Sequence, residues 1–184
     1  MLAFCEGDAA AFDALFRRWA ARLLRYLERM LRDAGLAEEL VQEVFLRVYG
    51  ARGSYRPEAR FSTWLYRIAT NLALNELRRP RRSRPHASLD DAAAEALASD
   101  DPPSDDLTHA RRSVAAVDRA LGDVPERQRA ALWLVAVEGL SYAEVAASLG
   151  VSESAVKALV HRARESLAAR LETRGSSAEG EGSP

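Results

Sequence analysis

Ser141-Tyr-Ala-Glu-Val-Ala-Ala-Ser-Leu-Gly150-Val-Ser-Glu-Ser-Ala-Val-Lys-Ala-Leu-Val160-His-Arg-Ala-Arg164 decides the fold. Ser141 and Glu144 form a capping box that opens a short helix, and Gly150 can take the positive φ that closes it. Ser152 caps the next helix, so the stretch reads as two helices joined by a tight turn, the layout of a helix-turn-helix. Ala146 is small where the two helices must cross. At helical spacing Val156, Leu159, Val160 and Ala163 face inward. Ser154, Lys157, Ala158, His161 and Arg162 then face outward on a surface able to enter a major groove. Arg162 suits a bidentate guanine contact, Lys157 a guanine or a phosphate, and Ala158 a thymine methyl. A helical hairpin with a solvated outer face would share part of this pattern, but capping box, small crossing residue, turn glycine and basic face agree on the first reading.

Outward from this stretch, the segment about 111–172 reads as helical throughout. Val114, Val117 and Leu121 mark a short helix, and Pro125 suits the first turn of the next, which runs to Glu138 and closes at Gly139. Between about 81 and 108 the periodicity vanishes among prolines, serines and acids, which reads as a flexible linker; Ala92 to Ala98 has room for a helical turn or two. From the N-terminus to about Arg84 the chain is again helical. The first helix follows Asp8 as N-cap, carries Phe12, Leu15, Phe16, Trp19, Leu23, Leu27, Met30 and Leu31, and stops near Gly35. A second spans roughly Leu36 to Tyr49 on a Leu36, Leu40, Val44 and Val48 stripe. A third is expected to be capped by Ser62, with Phe61 stapled to Tyr66, and must stop at Pro80. The tail Gly175 to Pro184 reads as disordered.

Charge is segregated along these segments although the whole chain is only −1 over 184 residues. Residues 51–84 carry nine basic and two acidic side chains, whereas residues 85–110 carry no basic side chain and seven acidic ones. A basic block beside an acidic one points to a polyanion partner for the first and a solvated or mimicking role for the second. Lys157 stands against 25 arginines, a bias that fits GC-rich codons as well as chemistry.

Two further faces stand out. On the third helix Thr63, Trp64, Arg67, Thr70 and Asn71 share a side opposite Leu65, Ile68 and Leu72, and Arg78, Arg79, Arg81, Arg82 and Arg84 follow. Aromatic and amide groups beside arginines suit unstacked bases and their phosphates, though Trp64 could equally belong to the core. On the second helix Glu38, Glu39, Gln42, Glu43, Leu46 and Arg47 make an outer face whose like charges four apart oppose the helix by ~0.2–0.5 kcal/mol. An apolar residue on an acidic face suits a protein contact or a plain solvated surface.

Other function classes are excluded by what the sequence lacks. The longest uncharged apolar stretch, Ala130 to Val137, falls far short of the ~20 residues that span a bilayer. Glu6, Asp8 and Asp13 sit where a secretory signal would be apolar, so a cytoplasmic protein is expected. Cys5 is the sole cysteine, and the histidines His86, His109 and His161 are scattered. Nucleophile elbows, phosphate-cradling glycine loops and metal-spaced ligands are absent, so neither catalysis nor a cofactor is expected.

Ala37-Glu-Glu-Leu-Val-Gln-Glu-Val-Phe-Leu-Arg47, Phe61-Ser-Thr-Trp-Leu-Tyr-Arg-Ile-Ala-Thr-Asn71 and Leu140-Ser-Tyr-Ala-Glu-Val-Ala-Ala-Ser-Leu-Gly150 together resemble an extracytoplasmic-function (ECF, group IV) sigma factor, in order from about Gly7 to Leu171. The resemblance implies an all-α protein of two small domains: 1–84 like sigma region 2 and 111–174 like sigma region 4, joined by the acidic linker 85–110. It implies core RNA polymerase as partner, bound through Leu40, Gln42, Glu43, Leu46 and Arg47. The −10 element would be melted and a flipped base captured by the region of Arg56, Trp64, Arg67, Asn71 and Arg78. The −35 duplex would be read by Ser154, Lys157, Ala158, His161 and Arg162. An anti-sigma partner and a linker directed toward the RNA exit path are further implications. At Ala158-Leu159 the chain departs from the polar-basic pair of many members. The alternative reading is a stand-alone helix-turn-helix regulator with a helical sensor domain, which would need a ligand pocket or phosphoacceptor in residues 1–84.

Overall fold

The computed structural model describes residues 1–79, 117 and 119–178, without the side chains from 172 onward. The expected linker, the helical turns at 92–98 and the arginines from 81 to 84 lie outside the described residues. Among those described, all regular structure is helical. The elements are α1 (Leu2–Cys5), α2 (Ala9–Leu31), α3 (Ala34–Gly50), a 3-10 turn (Ala51–Gly53), α4 (Phe61–Arg78), α5 (Glu126–Ala136), α6 (Tyr142–Leu149) and α7 (Glu153–Ala178). A further helical stretch passes through 119–122.

The first unit is α1 to α4. Asp8 caps α2 by accepting from the Ala10 and Ala11 amides at 2.9 and 3.2 Å. Arg32 ends α2 with φ 56°, the one non-glycine residue of positive φ among those described, and Asp33 caps α3 through the Leu36 amide at 3.0 Å. This two-residue reversal folds α3 back onto α2. Leu23, Tyr26, Leu27 and Met30 of α2 then meet Val44, Phe45 and Val48 of α3 and Leu65, Tyr66, Ala69 and Ala73 of α4 in a dry core. Each fully buried large apolar side chain contributes ~1.5–3 kcal/mol. Within it the Tyr26 hydroxyl and Thr70 Oγ1 are bonded at 2.7 Å.

Several local expectations are corrected here. The third helix begins at Phe61, with Arg60 as its cap residue and no side-chain cap bond, so Ser62 sits inside the first turn. Its first ring contacts are Trp19, Tyr55 and Trp64 rather than a staple to Tyr66. Thr63 and Thr70 are buried, so they leave the exposed face of α4. On α3 the buried stripe is Ala37, Val41, Val44, Phe45 and Val48, and Leu36 and Leu40 are only half-buried at its margin. The stop before Pro80 is as expected: the helix ends at Arg78, and Arg79 is extended.

The second unit is α5 to α7. The capping box is complete: Glu144 Oε2 accepts from the Ser141 amide at 2.8 Å, and Ser141 Oγ accepts from the Glu144 amide at 3.2 Å. Gly150 closes α6 in the left-handed conformation at φ 63°. There Arg127 donates to the Leu149 carbonyl at 3.1 Å, placing a cation at the negative end of the helix. Ser152 Oγ accepts from the Ala155 amide at the start of α7. Ala130, Ala131, Leu134, Leu140, Val145, Ala146, Leu149, Val156, Val160 and Ala163 fill the core, while Leu159 is only half-buried. The last helix runs to Ala178, past Gly175 where a disordered tail was expected.

The units are packed together, α4 against α6 and both α2 and α4 against α5, and one apolar cluster runs through both. Arg129, 4 % exposed, ties the seam. It donates to Gly122 O at 2.9 Å and Leu121 O at 3.3 Å within its own unit, and to Met30 O at 2.8 Å near the end of α2. Met30 O belongs to the last turn of α2, whose carbonyls have no partner within the helix. Among the described residues, three buried side-chain polar atoms lack a hydrogen-bond partner: Thr63 Oγ1, Tyr66 OH and Arg129 Nε. Such an atom costs a fold ~1–3 kcal/mol.

Candidate nucleic-acid interface

Three surfaces emerge, of three different shapes. The first is convex. The first turns of α7 present Ser154, Lys157, His161 and Arg162 to solvent with Ala158 half-exposed between them, so the five expected residues share one face. Lys157 pairs with Glu153 and His161 with Glu165, each at 3.4 Å along the helix. Arg162 has no ion-pair partner among the described residues. Because Gly150 and the Arg127 bond fix the turn, this helix is held at a set angle on α6 and can enter a duplex groove as a rigid ridge.

The second surface is concave. A cleft of about 300 Å³ lies between the 51–59 loop and α4, lined by Ser54, Tyr55, Arg56, Glu58, Trp64 and Arg67 among others, with Ala147 of α6 on its far wall. Trp64 is held there by rings: Tyr55 meets it edge-on at 4.9 Å, and Phe61 lies 5.8 Å away. Tyr55 is nearly buried, and burial raises its hydroxyl pKa. Arg56 folds back to donate to the Tyr55 carbonyl at 3.1 Å, which stiffens the loop. Of the expected residues, Arg56, Trp64 and Arg67 come together in the cleft. Asn71 and Arg78 are exposed farther along α4, outside its lining. An aromatic wall with two guanidinium groups suits a base taken out of its stack and the phosphate beside it. Ser54, Tyr55 and Glu58 belong to the 53–60 loop that the resemblance places at the −10 element but were not singled out one by one; the signal for them was an aromatic residue, Tyr55, in an otherwise polar loop.

The third is a groove of about 410 Å³ between α3 and α4, lined by Glu39, Leu40, Glu43, Arg47, Leu72, Asn75, Glu76 and Arg79. Glu43 and Arg47 pair at 2.8 Å across one helical turn, and Arg79 and Glu76 do the same on α4. Leu40, Glu43 and Arg47 thus meet in the groove, while Gln42 and Leu46 flank it in solvent, Leu46 at 67 % exposure. The α4 half of the groove was missed, because the sequence reading took the α3 face alone. Among the described residues no helix is long and apolar enough to cross a membrane.

Two family models match: sigma-70 region 2 over residues 15–84, which hold the groove and most of the cleft lining, and sigma-70 region 4 over residues 115–167, which hold the exposed face of α7. The chain is 39% identical over 164 residues to the RNA polymerase sigma factor CarQ of Myxococcus xanthus, covering 89% of this chain and 91% of CarQ. It is 38% identical over 164 residues to the ECF RNA polymerase sigma factor SigE of Mycolicibacterium smegmatis, covering 88% of this chain but 63% of SigE. Among solved structures, CnrH in complex with the cytosolic domain of CnrY is similar at a TM-score of 0.67 and 26% identity, over 92% of each chain.

Proposed function

This chain belongs to the extracytoplasmic-function family of RNA polymerase sigma factors and directs transcription initiation; we propose that it divides the task among the three surfaces. The outer face of α7, with Ser154, Lys157, Ala158, His161 and Arg162, reads −35 duplex DNA through the major groove. The Trp64 cleft takes an unstacked base of the −10 element, with Arg56 and Arg67 on its phosphates and with Asn71 and Arg78 continuing the strand's path along α4. The α3–α4 groove with Leu46 binds core polymerase through Leu40, Gln42, Glu43 and Arg47. Residues 1–84 and 111–174 act as the two working domains. Catalysis belongs to the polymerase and not to this chain, which works in the cytoplasm without a cofactor and under a protein inhibitor of the anti-sigma class. In support of such an inhibitor, the similar CnrH is bound to the cytosolic domain of another protein.

The observation that carries this reading is the pairing of a concave aromatic cleft with a convex basic helix on one chain. Single-stranded and duplex DNA need those two opposite shapes. A stand-alone regulator has no need of the first. The test is transcription by reconstituted polymerase on promoter libraries randomised at each element. Exchanging residues 53–60 should change −10 preference and leave −35 preference as it was. If the exchange shifts −35 preference instead, the assignment of surfaces is wrong.

A further inference from the structure

Two buried aromatic residues of the first unit stand outside its main apolar cluster: Phe4 at 2% exposure and Tyr55 at 9%. Tyr55 walls the cleft. Phe4 belongs to α1, which takes no part in the three surfaces and lies ahead of residue 15, where the match to sigma-70 region 2 begins. With four residues, α1 is far below the ~12–15 at which an isolated helix becomes even marginal in water. Phe4 is its one buried side chain, and the backbone fastens it to α2. The Asp8 amide donates back to the Ala3 carbonyl at 3.0 Å, and Gly7 turns the chain at φ 117°, a conformation that favours glycine.

What Phe4 touches is the root of the cleft's loop. Its ring lies 5.1 Å from Phe12, 5.4 Å from Tyr49 and 5.2 Å from the Arg52 guanidinium, which sits over it as a cation on a π face. Arg52 is the middle residue of the 3-10 turn from which the loop starts, and its Nη2 also lies against Gly7, 3.5 Å from where a Cβ would stand. It is exposed and has no ion-pair partner among the described residues, so the ring is its anchor. Gly50 and Gly53, on either side of it, face open space and add no restraint. Any shift of Arg52 passes to the cleft through one carbonyl. Ala51 O accepts from the Ser54 amide at 3.0 Å and the Tyr55 amide at 2.8 Å, and Tyr55 meets Trp64 edge-on. Cys5, the last residue of α1, lies within electrostatic reach of the Tyr55 hydroxyl. Packing alone would give Phe4 a part in stability; the contact with Arg52 gives it a part in where Tyr55 stands.

We propose that Phe4 is a positioning residue for −10 recognition: through Arg52 it holds the loop that sets Tyr55 against Trp64, so that α1 governs how strictly the cleft chooses its base. The proposal rests on the cleft's assignment to the −10 element, and its test separates the two. Phe4→Leu keeps an apolar side chain in place but offers no π face. Arg52→Gln removes the cation at an exposed position, and it carries the test even if Phe4→Leu fails to fold. These two, their double variant and Trp64→Ala are compared as full chains with reconstituted polymerase, on promoter libraries randomised at each element. Melting temperature and amide exchange at Ser54 and Tyr55 are measured beside them. Phe4→Leu and Arg52→Gln should each lower −10 base discrimination about two- to fivefold, the worth of one partly exposed cation–π contact, and leave −35 preference as it was. The double variant should lose no more than either single one, because both break the same contact. Exchange at Ser54 and Tyr55 should quicken. Unchanged −10 discrimination in Arg52→Gln, where Trp64→Ala loses it, would overturn the proposal. Additive losses, or a loss that reaches −35 preference in step with a falling melting temperature, would overturn it too. Faster exchange in Phe4→Leu and Arg52→Gln, with −10 discrimination intact even in Trp64→Ala, would support the brace on the loop and overturn the cleft's assignment.

Discussion

The two helical units are built from different materials. Among the described residues every close pair of aromatic rings lies between Phe4 and Tyr66, in the first unit. The second unit fills its core with alanine, valine and leucine. Large rings leave room between them, and in the first unit that room becomes a cleft with Trp64 and Tyr55 on its walls. Small aliphatic residues let helices approach closely, and in the second unit Ala146 and Gly150 make a turn tight enough to expose α7 as a ridge. Core composition thus bears on whether a unit offers a hollow or a ridge, and in the proposed reading on which form of DNA it holds.

The largest expected effect lies outside this contrast and shows what both units depend on. Glu43→Arg with Leu46→Asp should abolish capture by core polymerase while leaving far-UV circular dichroism unchanged, because Leu46 is exposed and, among the described residues, Glu43 bonds along its own helix. Loss of helicity would mean that this face is core. Next comes the packing of the second unit. Leu134 is fully buried, so Leu134→Ala should cost about 2–5 kcal/mol in denaturant unfolding. Leu159→Ala should cost clearly less, since Leu159 is half-exposed. Equal losses would show that α7 is buried differently in solution.

The hollow and the ridge should then separate by substrate. Trp64→Ala should weaken single-stranded −10 binding by polymerase holoenzyme by ~1–3 kcal/mol, the worth of one stacked base. Arg162→Ala should reduce discrimination at one −35 guanine by ~1–3 kcal/mol. Each should leave the other element's preference intact, as read by competition with mutated promoters. A Trp64→Ala variant that lost −35 discrimination would erase the contrast. Free chain should bind duplex promoter weakly, because Lys157 is already paired with Glu153, the Glu165 carboxylate stands 3.4 Å from His161, and a single helix face meets few phosphates.

What the sequence made legible was local. Asp8, the Ser141–Glu144 box, Gly150 and Ser152 act on residues two to four positions away, so their spacing alone reveals them. The convex face of α7 follows from helical periodicity once those caps are set. Burial decided by distant partners was not legible. Thr70 looks like a surface residue until Tyr26, 44 residues earlier, is brought to its hydroxyl. Ser62 has the chemistry of a cap, but the Trp64 amide already bonds to Arg60 O, so the helix has begun before it. Concave sites suffer most. Tyr55 in the cleft, and Leu72, Asn75 and Glu76 in the groove, become wall residues only when α3, α4 and their loop are packed together.

The smallest effect tests the cap from which the fold was read. Glu144 accepts from the Ser141 amide and from the Ser141 hydroxyl, both at 2.8 Å, and has Arg60 at 3.4 Å. Those bonds hold its carboxyl below the ordinary value of 4.5, the Ser141 amide contributing most and partial burial opposing. A carboxyl whose pKa is lower folded than unfolded stabilises the fold at pH values above the unfolded pKa. It loses that contribution as pH falls through the folded one. Melting temperature should therefore drop with acid from about pH 4.5 downward through this group, and Glu144→Gln should flatten that part of the curve. At neutral pH the variant should lose little, because glutamine can still accept from the Ser141 amide, whereas Ser141→Ala should cost about 1 kcal/mol as a lost N-cap. Parallel acid limbs for Glu144→Gln and the unsubstituted chain would mean that the box does not hold this carboxylate down. The cap would then be a feature of backbone geometry alone.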